Sequence, residues 1–103
     1  MMEDAQEIRT YLEEHNPTAI LWDDCDSALL GTARIKREDK WTTVAMYSYE
    51  LLVQHFIEDF RASYKSKEEP ITDNELEDMA IEYVDYNIYT AYIGPSTPMI
   101  IYT

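Results

Sequence analysis

Apolar and polar positions alternate with different periods along this chain, and each change of period marks an element. Residues 4–15 carry Ile8, Tyr11, Leu12 and His15 at helical spacing, on one face of an amphipathic helix. Asp4 with Glu7 three residues later gives a capping-box-like start, and Asn16-Pro17 gives a stop. TAILW (18–22) is a short apolar run that fits either a strand or a buried connection. ALLGTARI (28–35) and WTTVAMYSY (41–49) are β-branched and aromatic around the polar KREDK, which predicts an antiparallel hairpin with a loop of about five residues. The helical period then returns. Tyr49, Leu52, Val53, Phe56, Ile57, Phe60 and Tyr64 share one side through about residue 66, with Ser48 as N-cap and Glu50 in the first turn. SKEEP (66–70) reads as a linker.

A second long helix has the clearest start signal in the chain: Thr72 as N-cap, Glu75 at the third helical position, and Ile71 placed to staple against Leu76. Two ends fit it. Gly94-Pro95 could close it, or Asn87 could be a left-handed cap followed by extended chain over Ile88–Ile93. PMIIY (98–102) reads as a last strand that Pro98 pushes to an edge or start position. The expectation is a single α+β domain over residues 1–103: a small antiparallel sheet, made of the hairpin 28–47 and the C-terminal strand, packed on two or three helices.

Charge changes this picture more than length does. The 103 residues hold 21 acids and 8 bases, a net charge of −13. Residues 1–30 contribute −7, residues 31–67 contribute +2, and residues 68–103, which contain no lysine or arginine, contribute −8. Solubility alone usually calls for a magnitude of about 2 to 8 in a small domain. Such a balance disfavours a phosphate-neutralising nucleic-acid patch and docking on an anionic leaflet. No run approaches the roughly 20 apolar residues of a membrane span, and MMEDAQEI is acidic where a secretory leader is basic and then apolar. With one cysteine, Cys25, a reducing compartment is expected, most simply the cytoplasm.

The acids concentrate on the second long helix. At 100° per residue Leu76, Met79, Ala80, Tyr83 and Asn87 point one way, toward the expected core. Glu75, Asp78, Glu82 and Asp85 form a stripe within about 80° on the other side, with Tyr89 inside the arc and Tyr86 at its flank. A solvated helix face normally mixes in lysine, because Glu–Lys pairs four apart add about 0.2–0.5 kcal/mol, whereas Asp78 and Glu82 are a like pair at that spacing. The stripe is either a solubilising face or a binding face. As a binding face it resembles a polyanion carrying flat groups, which a basic groove built for phosphates would attract.

Other candidate chemistry is thinner. WDDCD (22–26) brings Asp23, Asp24 and Asp26 together, a second acidic patch, but without the alternate-position ligands and glycine turn of a calcium loop; an exposed turn explains it better. His15 suits a helix C-terminus, His55 falls outside the Phe56 stripe, and neither has metal-ligand spacing. Acidic neighbours should push the Cys25 thiol upward, the wrong direction for a nucleophile. Arg34, Lys36, Arg37 and Lys40 gather at the hairpin turn, as a solvated turn or as a small patch that pairs with the protein's own acids. No catalytic residues, metal or cofactor are expected.

Four segments resemble a family of small bacteriophage and prophage proteins: ALLGTARI (28–35), VAMYSYELLV (44–53), IEYVDYN (81–87) and AYIGPSTPMII (91–101). The resemblance runs from about Ala28 to the C-terminus and rests on Tyr83, Asn87, Gly94, Thr97 and Pro98. The chain departs from the pattern at Thr90, where the family has glycine, and at Pro95, where it has an acid or polar residue. The resemblance implies a phage-type product acting in a bacterial host, and brings no activity with it. Together these readings predict a non-enzymatic inhibitor of a host nucleic-acid-binding or defence protein, in the manner of DNA mimics and with an anti-restriction or anti-CRISPR role as an instance. Its partner-binding residues would be Glu75, Asp78, Glu82, Asp85, Tyr86 and Tyr89, then Asp23, Asp24 and Asp26. The alternative is a structural or regulatory phage domain, such as a homodimer, with charge serving solubility only.

Overall fold

The computed structural model describes residues 4–64 and 71–103. Helix α1 spans Ala5–His15, strands β1 and β2 span Leu29–Arg37 and Lys40–Ser48, helix α2 spans Tyr49–Tyr64, helix α3 spans Asp73–Val84, and strand β3 spans Met99–Ile101. The α+β class is as expected. The linker 66–70 and the first three residues lie outside the described residues.

Both predicted N-caps around the hairpin hold. Asp4 accepts from the Glu7 N–H at 2.8 Å, and the Ser48 hydroxyl accepts from the Leu51 N–H at 3.1 Å. β1 and β2 pair antiparallel from Leu29↔Tyr47 to Arg37↔Lys40, so the turn is Glu38-Asp39 alone, shorter than the expected five-residue loop. Both turn residues adopt positive φ (50° and 66°), which a two-residue hairpin turn of matching twist requires. The sheet itself is mixed, not antiparallel: β3 lies parallel to β2, with Met46↔Met99 and Ser48↔Ile101 in register. A parallel return requires the chain to travel back along β2 before entering β3. It turns at Gly94, whose φ of 122° suits glycine, and Thr97 closes the turn by donating its N–H and hydroxyl to the Gly94 carbonyl. TAILW holds no strand and is a connection, half-buried over Ala19–Trp22 with Thr18 exposed; the Ile20 N–H donates to the Ser96 carbonyl.

The core joins all layers through Ile8, Leu12, Cys25, Leu29, Tyr47, Leu52, Ala80 and Val84. Tyr47 is wholly enclosed, and its hydroxyl accepts from the Trp22 backbone N–H at 2.9 Å. Burial pushes that phenol up to about 12. α2 leaves the end of β2 directly and packs on α3 and on the short 3₁₀ turn Asp26–Ala28 rather than along the sheet. The molecule is elongated, 50 Å against 26 and 21 Å. The hairpin turn and α2 are joined to opposite ends of β2. Among the described residues no helix is long and apolar enough to cross a membrane.

Candidate functional site

The α3 start is built as the sequence predicts. Thr72 Oγ1 accepts from the Glu75 N–H at 3.2 Å, while Glu75 Oε1 accepts from the Thr72 N–H at 3.2 Å and from its hydroxyl at 2.9 Å. These bonds hold the Glu75 carboxyl below the usual carboxylate range. Glu75 is thus exposed but occupied in capping.

The helix does not end in either expected way. After Val84 it widens into one π-helical turn, Asp85–Tyr89, and the Thr90 N–H donates to the Asp85 carbonyl at 3.3 Å. Asn87 sits inside that turn without positive φ, exposed, its amide donating to the Tyr83 carbonyl at 3.1 Å. The buried face is correspondingly rotated from the expected one. It is Leu76, Ala80, Val84 and Ile88, a row four residues apart, whereas Met79 is half-buried and Tyr83 and Asn87 are exposed. Each four-residue step on an α-helix advances roughly 40° past a full turn, and the wide turn, with more residues per turn, brings Ile88 back toward the row.

This rotation divides the acidic stripe. Asp85 is drawn inward, half-buried, where the Tyr49 hydroxyl donates to it at 2.6 Å; burial and then this bond push the Tyr49 phenol up to about 12. Asp78 and Glu82 stay exposed, with Glu77 exposed beside them, and among the described residues none of the three is in an ion pair. The ion pairs among the described residues are Arg9–Asp26, Arg61–Glu58 and Arg61–Asp73. Asp78 and Glu82 rim a shallow hollow of roughly 410 Å³ with Phe60, Met79, Tyr83 and Tyr86 in its walls. Tyr83 is fixed there by ring contacts to Phe56 (4.6 Å) and Phe60 (5.8 Å), and Tyr86 is 77% exposed. Tyr89 belongs elsewhere, in an aromatic group with Tyr49 at 5.8 Å and Tyr102 at 5.3 Å.

Asp23, Asp24 and Asp26 behave differently from the stripe. Asp26 pairs with Arg9, and Asp23 and Asp24 are exposed in a turn with Asp24 at φ 60°. Among the described residues no group of three His, Cys, Asp or Glu side chains could hold a metal ion, so a divalent site at these aspartates has no geometry. Burial first, then Asp24, Asp26, Asp23 and Asp59, push the Cys25 thiol up to about 11. The direction is the expected one, and Asp59 of α2 joins this patch, which no spacing in the sequence signals. His15 donates Nδ1–H to the Tyr11 carbonyl at 2.8 Å and stacks on the Tyr11 ring. His55 is half-buried and meets the Phe56 ring edge-on at 4.8 Å, rather than standing clear of that stripe.

The basic turn is only partly solvated. Arg37 donates to the carbonyls of Pro95 (3.0 Å) and Thr97 (2.5 Å) and lies over the Tyr92 ring, clamping the Gly94–Thr97 turn. Arg34, Lys36 and Lys40 have no carboxylate partner in these pairs. No protein-family model, curated protein or solved structure matches the chain.

Proposed function

We propose that this protein is a non-enzymatic, phage-type binding protein whose acidic α3 face occupies a basic, nucleic-acid-binding groove on a host bacterial protein and blocks it. One observation carries the reading: Glu77, Asp78 and Glu82 are presented with no cation paired to them among the described residues, next to the exposed rings of Tyr83 and Tyr86. Carboxylates supply attraction and orientation, and the tyrosines supply rigid contact area at small entropic cost. The charge density fits. The described residues hold 18 acids and 6 bases, a net −12 along 50 Å, or one charge per about 4 Å. One strand of DNA presents one per about 3.4 Å of axis. The bacterial setting is part of the proposal and rests only on the resemblance read in the sequence from about Ala28 onward. Glu75 and Asp85 drop out of the contact set, because each is bonded within the fold.

The test is capture from a nuclease-treated bacterial lysate, repeated with Glu77, Asp78 and Glu82 changed to lysine, across a salt series and with excess duplex DNA as competitor. Host proteins retained by the wild type, lost with the triple variant, released by DNA and weakening steeply with salt are the expected result. Retention that ignores both the reversal and the DNA overturns the proposal.

A second reading has its own observation. Tyr89 (41% exposed), Tyr92 (57%), Ile93 (62%) and Tyr102 (65%) form an uncovered apolar stretch beside β3. Association of two copies through this stretch would be insensitive to salt, and sedimentation at two ionic strengths separates it from the first reading.

A further inference from the structure

Among the described residues, two of the cations outside the ion pairs, Arg34 and Lys40, lie together. Arg34 and Lys40 meet His15 around a surface pocket of roughly 430 Å³, closed by Trp41, Thr42 and Ser96. That volume lies within the range of small-molecule sites, about 300–1,000 Å³. In a chain with 21 acids, no carboxylate lines it.

Three elements build the pocket. The β1–β2 register sets Arg34 opposite Thr43 and Lys36 opposite Trp41, so Arg34 and Trp41 stand on one face of the hairpin, and the guanidinium lies 5.2 Å from the indole centroid. Trp41 is nevertheless 59% exposed, leaving much of its ring uncovered. The end of α1 supplies His15, whose Nδ1–H is held by the Tyr11 carbonyl, so Nε2 is the nitrogen left to meet a ligand. The rim is fixed from behind: the Asn16 amide donates to the Thr43 carbonyl at 2.8 Å and to Ser96 Oγ at 3.2 Å, joining α1, β2 and the Gly94–Thr97 turn. Arg37 holds the same turn from the other side. The pocket is therefore braced by structural bonds, while the guanidinium of Arg34 and the ammonium of Lys40 have no carboxylate partner among the described residues.

We infer that this pocket binds a phosphate monoester carrying a flat ring, a mononucleotide in chemical class, with the phosphate between Arg34 and Lys40, a ribose hydroxyl donating to His15 Nε2, and the base on the exposed face of Trp41. Arginine and lysine supply donors that match phosphate oxygens, and an exposed indole next to a guanidinium is a stacking platform for a base. Beyond Thr43, which lies opposite Arg34, β2 runs five more residues, about 17 Å at 3.3 Å per residue, before the helical pair that carries the acidic face begins; this is about twice the roughly 8 Å Debye length at physiological salt, so that face is largely screened from the pocket. The site is independent of the acidic face and of its proposed partner.

The test is titration of the whole chain with AMP and GMP, followed by tryptophan fluorescence and calorimetry, alongside inorganic phosphate and adenosine as separate arms. Trp41 and the half-buried Trp22 are the two tryptophans, so Trp41→Phe assigns the signal. Saturable quenching by a nucleotide, weakened at least tenfold in Arg34→Ala/Lys40→Ala, is the expected outcome. Melting curves of that variant, whose changed side chains are exposed, establish that it is folded. Absence of saturation with every nucleotide, or equal binding by the double variant, overturns the site. Equal affinity for inorganic phosphate and nucleotide overturns the place given to the ring on Trp41.

Discussion

Changing Glu82 to lysine should stabilise the protein while abolishing its proposed binding. Glu82 stands four residues after Asp78 and three before Asp85, so the helix carries two like-charge neighbours there. Each such pair costs about 0.2–0.5 kcal/mol and each opposite pair returns a similar amount, a swing of about 0.4–1 kcal/mol per neighbour. The Asp85 contribution is discounted by roughly half, because its carboxylate is already bonded to Tyr49 at 2.6 Å. Lysine near the helix C-terminus also complements the dipole, by about 0.3 kcal/mol at the low end because helical turns continue past Val84. The sum is about 1 kcal/mol at low ionic strength, a rise of about 5 °C in Tm for a domain of this size. Melting curves by circular dichroism at ~20 mM and ~0.5 M salt measure it, and the gain should shrink as screening lengthens from weak to strong. An unchanged or lower Tm at low salt would refute the reasoning, as would a gain that salt leaves intact. Opposite signs for stability and binding are the signature of a charge retained against the interest of the fold.

Three further outcomes follow from the same coordinates. Tyr47→Phe removes the acceptor of a buried backbone N–H and should cost about 1–3 kcal/mol, read as a lower denaturation midpoint in urea with unchanged slope. Raising the pH should unfold the protein early: burial raises Tyr47 to about 12 and Cys25 to about 11, from 10.0 and 9.0, so the unfolded chain ionises first. Stability from these two groups is complete below about pH 9 and is lost as pH rises through 11 to 12, which a melt series in alkaline buffers follows; a flat profile up to pH 12 would contradict it. Gly94→Ala should cost about 1–3 kcal/mol through the backbone alone, since φ is 122° and an added Cβ meets no atom within 4 Å; a Tm equal to wild type would show that the turn is not held in this conformation.

Local chemistry was readable in the sequence, and longer-range geometry was not. Thr72 with Glu75, Asp4 with Glu7, and Ser48 signal their caps because a cap is decided within four residues. The alternation of ALLGTARI and WTTVAMYSY is enough to pair them. The pairing of β3 is another matter, since PMIIY is apolar in either direction and only the route of residues 90–98 makes it parallel. The core face of α3 is misjudged because Met79 and Tyr83 are apolar enough to be buried; packing against α2 selects the four-residue row instead. The stripe is consequently half right: Asp78 and Glu82 are presented, whereas Glu75 and Asp85 are recruited by Thr72 and Tyr49. The π-helical turn has no sequence signature in the residues 85–89 that form it.

The distribution of charge along the chain bears on how a partner would arrive. The core residues Ile8, Leu12, Tyr47 and Leu52 and the braces Asn16 and Arg37 hold the middle of the molecule together. Asp78 and Glu82 on α3, and Arg34 and Lys40 on the hairpin, are exposed and hold little of it. Charge is nevertheless uneven: residues 73–85 carry six acids and no base, whereas residues 34–40 carry four bases and two acids. A cationic groove approaching the molecule is attracted by the net −13 from any direction, and most strongly at α3. That combination turns the α3 face toward the groove before contact and shortens the rotational search that otherwise limits docking to about 10⁵–10⁷ M⁻¹s⁻¹. Neutralising Arg34 and Lys40 takes the net charge from −13 to −15 and should speed association slightly at low salt without changing dissociation, because neither residue lies on the α3 face. A change in the dissociation rate would place the hairpin end inside the interface instead.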